Sequence, residues 1–541
     1  MPYIDITSMG GEMPRIIPTM LPEKSATLTE NCHFRFGVVS PCTQESDVGE
    51  AFSINPRSIF HYRDNFWFAW PGITDAIRSP VAQDPYGRVY YTDGKFPKVT
   101  SAAVATKGSG NYPAAFFRLG IPAPTTAIMC VVNLPQNPGN DDPTDDETRY
   151  YAETYVTAYG EEGPPGPASG KVIVTYPGSS VDLSLQAPAI QNSNITRRRI
   201  YRSVSGDGKA DFLLVTELDV GVLSYRDELS SDELGPAMQT WHYLPPPENM
   251  QGLCLMANGI AAGFAGNEVM FSESFLPYAW PDSYRQTTED DIVAIAPVGT
   301  ALVVATKGEP YLFSGVSPSN ISGMKLPQTQ ACVSRESMVA MDGFVLYAGT
   351  NGLASVDGNG NAVNATEKII SAEQWNSMFN PSSIRACLCR GEYVASYTRP
   401  DGSAGIFIFN PQDMDIRHMT ASFDAAYHQL ESDTLYLVKN KKLHIFQGGT
   451  KPVPMRWRSK IFMATEGTSF SCLRIHSDNP QLVGVTLYVD GRQAVQLPPG
   501  TLSRGILKLP PVAGTEWQIE VSGFTRVERI TLSTSMTEMP A

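Results

Sequence analysis

Asn258-Gly259-Ile260-Ala261-Ala262-Gly263-Phe264-Ala265-Gly266-Asn267-Glu268-Val269-Met270-Phe271-Ser272 is the stretch that decides the fold. A polar turn with a glycine opens onto an apolar strand, Gly266-Asn267 reverses the chain, and a second apolar strand follows. The same order recurs four more times before Phe446. Val298-Gly299 leads to Ala301–Ala305, then Lys307-Gly308 and Tyr311–Ser314. Asp342-Gly343 leads to Phe344–Tyr347, then Asn351-Gly352 and Leu353–Val356. Arg390-Gly391 leads to Tyr393–Tyr397, then Asp401-Gly402 and Ile406–Phe409. Ser432-Asp433 leads to Leu435–Val438, then Asn440-Lys441 and Leu443–Phe446. The first turns, at Gly259, Gly299, Gly343, Gly391 and Asp433, are separated by steps of 40, 44, 48 and 42 residues. Hairpins repeating at that period predict β-propeller blades. Asn-Gly and Asp-Gly supply the positive φ that tight hairpin turns require. A non-repetitive β-sandwich that reuses good turns is the competing expectation.

Working outward, 541 residues exceed what one core organises, so several domains are expected. Charged residues make up only 18 %, with 45 Gly and 42 Pro, which suits an all-β chain dense in turns. The net charge of −14 argues against a nucleic-acid grip, which needs a basic stripe. It is compatible with duplex passing close by without adhering. Eight cysteines are scattered, several in apolar runs such as Cys130-Val131-Val132, and read as buried thiols from a reducing compartment. No apolar run is long enough to span a bilayer. Met1-Pro2-Tyr3-Ile4-Asp5 lacks a signal-peptide layout, so synthesis and folding in a cytoplasm are expected.

Four segments follow. Residues 1–125 comprise an irregular, proline-broken arm to about residue 55 and then a strand pair, Phe66–Trp70 with Arg88–Thr92, expected to lie beside the repeat ending at Phe446. Residues 126–240 suit a small β-sandwich. Tyr150–Tyr159 alternates along a strand and meets Gly160-Glu161-Glu162-Gly163-Pro164, a pattern that resembles a fibronectin type III domain. Before it, residues 137–147 form an acidic loop with four Asp and one Glu, exposed by composition. Its spacing fits no EF-hand, although calcium is conceivable there. Residues 241–450 hold the blades, entered through the stiff linker Pro245-Pro246-Pro247. A capping-box spacing at Ser371–Gln374 predicts a short helix among them. Residues 451–541 form a last β-rich platform.

Chemistry-bearing patterns are sparse. The seven histidines, His33, His61, His242, His418, His428, His444 and His476, give no metal-ligand pair at helical spacing. Cys387-Leu388-Cys389 lacks a partner pair for zinc and reads as two core thiols on one strand face. Ser355-Val356-Asp357-Gly358-Asn359-Gly360 approaches the Asp-box of sialidase propellers but has Asn359 where that box has Gly. Arg197-Arg198-Arg199 is a possible anion grip, with the plainer expectation that alternate arginines face solvent and one pairs with an acid. No nucleophile elbow and no phosphate loop are present. An enzyme is therefore not expected, and neither a catalytic, cofactor nor metal site is assigned.

Three stretches resemble the nozzle proteins (tail tubular protein B) of short-tailed bacteriophages. They are Val269–Pro281, Thr306–Leu312 followed by Gln330–Ser334, and Trp457–Lys460 with Asp490-Gly491 and Trp517 beyond it. The resemblance covers most of residues 245–541. It implies a virion structural protein at the tail tip, assembled in the host bacterial cytoplasm. Such a homohexameric ring would hang from an adaptor on the portal and carry tail fibres or spikes. Packaged double-stranded DNA would be retained and then conducted without specific binding. Six copies would carry a formal charge of about −84, a wall along which DNA slides. The rival is a glycan-binding or glycan-degrading tail adhesin, with Trp67, Trp70 and Trp280 as stacking platforms. A secreted adhesin acting through the fibronectin-like segment fits less well with free thiols.

Overall fold

The computed structural model describes residues 3–139, 142, 146–189, 192–203, 211–327, 330–502 and 505–539. Strands dominate, and the only α-helices among the described residues are Ala102–Ala105 and Ala372–Met378. The chain forms two compact units. One comprises residues 1–71, 302–312 and 324–541, the other residues 72–301 and 313–323.

The blade pattern is realised as a β-propeller-like series of small antiparallel sheets. All five first-turn residues have positive φ: Gly259 at 75°, Gly299 at 59°, Gly343 at 84°, Gly391 at 77° and Asp433 at 46°. Asp433 is the one that carries a side chain into this region, and its carboxylate earns the strain back locally. Oδ1 receives the backbone N–H of Arg390 at 3.1 Å and lies 2.8 Å from His428 Nε2.

In the first unit, Val339–Ala340, Phe344–Gly349, Gly352–Asp357 and Ala362–Asn364 make one four-stranded sheet. Arg385–Cys389, Glu392–Thr398, Ala404–Asn410 and Asp415–Met419 make the next four strands in order. Between these sheets lies a core containing Leu346, Leu353, Trp375, Phe379, Tyr393 and Phe407. The helix Ala372–Met378 plugs it with Trp375, whose indole N–H donates to the Gly349 carbonyl at 3.1 Å. Its capping box is formed as the sequence predicts: Gln374 N–H donates to Ser371 Oγ at 3.2 Å, and Ser371 N–H to Gln374 Oε1 at 3.0 Å. Ser371→Ala is expected to lower stability by about 1 kcal/mol, read from the midpoint of denaturant unfolding at unchanged m.

The last repeat, Ala425–Gln429, Thr434–Lys439 and Lys442–Ile445, takes its fourth strand from the far end of the chain. Ser46–Ala51 pairs antiparallel with Lys442–Ile445. The expectation of an irregular arm over residues 1–55 is therefore corrected: five strands lie there. Tyr3–Ile6 pairs with Val527–Ser533, and Cys32–Arg35 and Val38–Pro41 extend the same six-stranded sheet. Ala26–Glu30 sits between Asp415–Met419 and Met455–Ser459 and so joins the blade strands to the C-terminal strands in one ten-stranded sheet. Proline excluded helix correctly, but it did not exclude strands whose partners lie hundreds of residues away.

The anticipated pairing of Phe66–Trp70 with Arg88–Thr92 is also corrected. Phe66–Trp70 forms a hairpin with Ser58–Arg63. Val89–Thr92 pairs instead with Asp75–Arg78 and Lys98–Thr100. The hairpin does lie beside the last repeat, since Trp67 packs on Tyr427 and Tyr436 with ring centroids 5.6 and 4.9 Å apart.

In the second unit, Gln251–Leu255, Ala261–Ala265, Glu268–Phe271 and Gln286–Thr287 form the first repeat's sheet. The described residues of 126–240 carry two three-stranded sheets and one two-stranded sheet. Their inward side chains, among them Ile128, Tyr151, Val172, Leu183 and Ile200, share one core. The segment after Tyr159 doubles back along Tyr151–Thr157: Gly163, Gly166 and Ser169 donate backbone N–H groups to the carbonyls of Tyr155, Glu153 and Tyr151. This gives the Gly-Pro-rich stretch the hydrogen bonding of an extra strand.

Candidate functional site: a polar cleft in the first unit

The residues singled out in the sequence occupy structural positions. Trp67, Trp70 and Trp280 are 7, 7 and 1 % exposed, so none presents a face to a sugar. Trp280 donates its indole N–H to the Pro277 carbonyl at 2.7 Å and pins the loop that follows Phe271. Cys387 and Cys389 face one apolar core with Val394 and Ile406, as expected for a strand in that register. Burial raises both thiols, and all eight cysteines are free. Asp357 closes a hairpin turn, accepting from the Asn359 and Asn361 N–H groups at 2.9 Å each. Most of the acidic stretch 140–145 lies outside the described residues. Among the described residues no group of His, Cys, Asp and Glu is arranged to hold a metal ion.

The three arginines alternate as expected, the outer two toward solvent and the middle one onto an acid, and the outer two are paired with acids as well. Arg197 and Arg199 do lie outward, but both pair with Glu217, and Arg199 also reaches Glu162 at 2.6 Å. Arg198 points inward and is fully buried, 2.9 Å from Glu153. Its guanidinium also donates to the carbonyls of Gln186 and Val220. Nearby, Arg202 and Asp227 form a second buried pair at 2.7 Å. Asp227 Oδ2 takes the Tyr151 hydroxyl at 2.8 Å, and its Oδ1 takes the Leu229 N–H at 3.1 Å. The two buried cations, Arg198 and Arg202, are consumed internally, and the two outer ones are already paired with acids.

A different set of polar residues meets in a cleft of about 500 Å³ in the first unit. Its floor is the seam in the ten-stranded sheet where Ala26–Glu30 runs parallel to Asp415–Met419 with the single partner pair Glu30–His418. Beside that pair, Gly10-Gly11-Glu12 threads in as a strap. Glu12 and Ile416 exchange both backbone hydrogen bonds, at 2.7 and 3.2 Å, and Gly11 N–H donates to Asp415 Oδ2 at 2.6 Å. Residue 11 must be glycine for this approach, because a Cβ there would lie 2.7 Å from both Asp415 Cγ and the Ile416 carbonyl oxygen.

The strap delivers Glu12 to the cleft. Its Oε1 accepts from Thr29 N–H at 2.5 Å and Thr29 Oγ1–H at 2.7 Å, while Oε2 lies 3.9 Å from His418 Nε2. Burial is the largest influence on this carboxyl and, with Asp415 adding to it, pushes the pKa up to about 7 against the Thr29 hydrogen bonds. His418 is pushed the other way, down to about 4, first by burial and then by Arg399. The imidazole is thus neutral at pH 7, with one nitrogen donating and the other accepting. Both nitrogens are buried and neither has a hydrogen-bond partner among the described residues. Sequence reasoning missed this site. Glu12 lies in a segment without periodicity, and His418 is 406 positions away; the only local sign is the Gly10-Gly11 pair before a lone acid.

Sheet topology and turn geometry define an all-β protein with a β-propeller-like arrangement of small sheets. No family model and no curated protein matches the chain. Among solved structures, it is similar to apo AztD from Citrobacter koseri at 10 % identity, covering 66 % of this chain and 73 % of that one, with a TM-score of 0.28. It is also similar to the Neurospora crassa Pan2 WD40 domain, at 9 % identity over 51 % of this chain and 85 % of that one, with a TM-score of 0.26. An exo-beta-1,3-galactanase from Phanerochaete chrysosporium aligns at 9 % identity over 52 and 95 % of the two chains, with a TM-score of 0.19.

Proposed function

We propose that this chain is a structural subunit of a short-tailed bacteriophage tail, of the nozzle type, that assembles into a six-fold ring around the DNA exit path. The observation that carries the reading is the sequence resemblance within residues 245–541. The resembling residues have scaffold roles, as a structural protein requires. Trp457 is buried and donates to the Gly10 carbonyl at 3.0 Å, and Trp517 is buried and donates to the Gly514 carbonyl at 3.1 Å. Asp490 accepts the backbone N–H groups of Thr515 and Glu516 at 2.9 and 2.8 Å. The acidic charge of the chain supports a conduit that repels DNA over one that grips it. Portal adaptor and tail fibres or spikes are the partners this role implies.

Negative-stain imaging and native mass spectrometry of the chain, alone and mixed with a tail adaptor, test the reading. Six-fold rings are expected once the adaptor is present, and duplex DNA is expected to show no retention at low salt. Monomers alone in every mixture would overturn it. The glycan-adhesin alternative loses its aromatic platforms to the core and rests on the polar cleft alone.

A further inference from the structure

We propose that the cleft at the Glu12–His418 seam binds a neutral, polyhydroxylated ligand, one sugar ring of a glycan. The inference rests on the cleft and not on ring assembly. Its walls are strands of the ten-stranded sheet, the Glu12 strap and the end of the helix Ala372–Met378, so the cavity is held open by the fold.

The donor and acceptor pattern selects the ligand. Glu12 Oε1 is committed to Thr29, but Oε2 is not, and 3.9 Å from His418 Nε2 is too long for a direct hydrogen bond. A hydroxyl oxygen that parts the two side chains would pair with both. A hydroxyl both donates and accepts, so it suits either tautomer of a neutral imidazole and either protonation state of Glu12. Leaving such a ring unpaired in a buried place is costly, and that cost becomes binding energy for a ligand that pairs it. Just beyond the strand that carries His418, Thr420 holds its hydroxyl toward Asn31 Oδ1 at 3.2 Å, which leaves its oxygen able to accept.

Charge argues against ionic ligands. Arg399 lies over the Tyr397 ring at 5.4 Å and donates to Ser403 Oγ at 3.2 Å, while Glu30 pairs with Arg456 at 3.3 Å. The lining holds both signs, Arg399 against Glu12 and Glu30, so neither a cation nor an anion meets a field of one sign. Leu28 and Met378 supply an apolar wall for the C–H face of a sugar ring.

The test uses the full chain with methyl β-D-galactopyranoside and methyl α-D-glucopyranoside as neutral probes, and acetate and methylammonium as ionic ones. Saturation-transfer NMR and titration calorimetry read binding, while the His418 ring resonances locate it. Saturable binding of at least one glycoside is expected. His418→Leu should weaken it roughly tenfold, the worth of about one hydrogen bond. His418→Gln, which keeps a donor and an acceptor, should retain most of it. Should the leucine variant fail to fold, Ser377→Trp fills the cleft mouth from an exposed helix position and should abolish binding. No glycoside binding in the unaltered protein, equal affinity in the His418→Leu or Ser377→Trp variant, or tighter binding of either ion at this place would each overturn the proposal. Absence of rings in the assembly experiment would leave it untouched.

Discussion

Replacing Arg202 by Met is expected to destabilise the second unit by about 3–5 kcal/mol, the usual result of removing one partner from a buried ion pair. Both side chains are sealed, at 1 and 0 % exposure. Asp227 would keep the Tyr151 hydroxyl and the Leu229 N–H but lose the Arg202 guanidinium. The Leu229 carbonyl would lose its guanidinium donor as well. The double variant Arg202→Met/Asp227→Leu removes the stranded charge and should recover part of the loss. Urea unfolding gives the magnitude, and amide hydrogen exchange places it: protection should fall across 150–230 while the strands of the first unit keep theirs. An Arg202→Met protein as stable as the parent would show that the pair is dispensable.

The second large effect is a pH dependence. Glu12 holds its proton to about pH 7 in the folded protein, against an ordinary value of 4.5. Below 4.5 both folded and unfolded chains are protonated and the group contributes no difference. As pH rises from 4.5 to 7 the unfolded chain releases the proton and the folded one does not, so stability falls through that window and levels off above it. Glu12→Gln cannot titrate. The variant should therefore gain on the parent protein as pH rises, by on the order of 3 kcal/mol between pH 4.5 and 8. His418 has the opposite slope, losing stability as pH falls from 6.5 toward 4, and is common to both proteins. Denaturant midpoints at half-unit pH steps measure the difference, and a pH-independent gap would refute the buried, protonated carboxyl.

Local chemistry was legible in the sequence. The five turns with positive φ, the Ser371 capping box and the core-facing Cys387 and Cys389 all follow from neighbours within a few positions. What the sequence concealed is non-local. Nothing near Tyr3, Ala26 or Ser46 announces partners at Ser533, Ser459 and Ile445. Arg198 reads like its two neighbours until the fold supplies Glu153 and two carbonyls on the inner side. The cleft is the extreme case, because neither Glu12 nor His418 has meaning until a glycine strap and a parallel strand pair bring them within 4 Å.

Those long pairings set an order of events on the ribosome. Tyr3–Ile6 and Ser46–Ala51 leave the exit tunnel while their ladder partners are still about four to five hundred codons ahead of the ribosome. At about 5–20 residues per second, the strand at Ser46–Ala51 waits on the order of tens of seconds for Lys442–Ile445. Tyr3–Ile6 waits longer still for Val527–Ser533. During that interval the leading segment is an unpaired edge in a crowded cell, on which chaperones and neighbouring nascent chains compete. Truncation near residue 440 would then leave Ser46–Ala51 without its partner strand, and expression yield should be far lower for a chain ending just before Lys442–Ile445 than for the full chain.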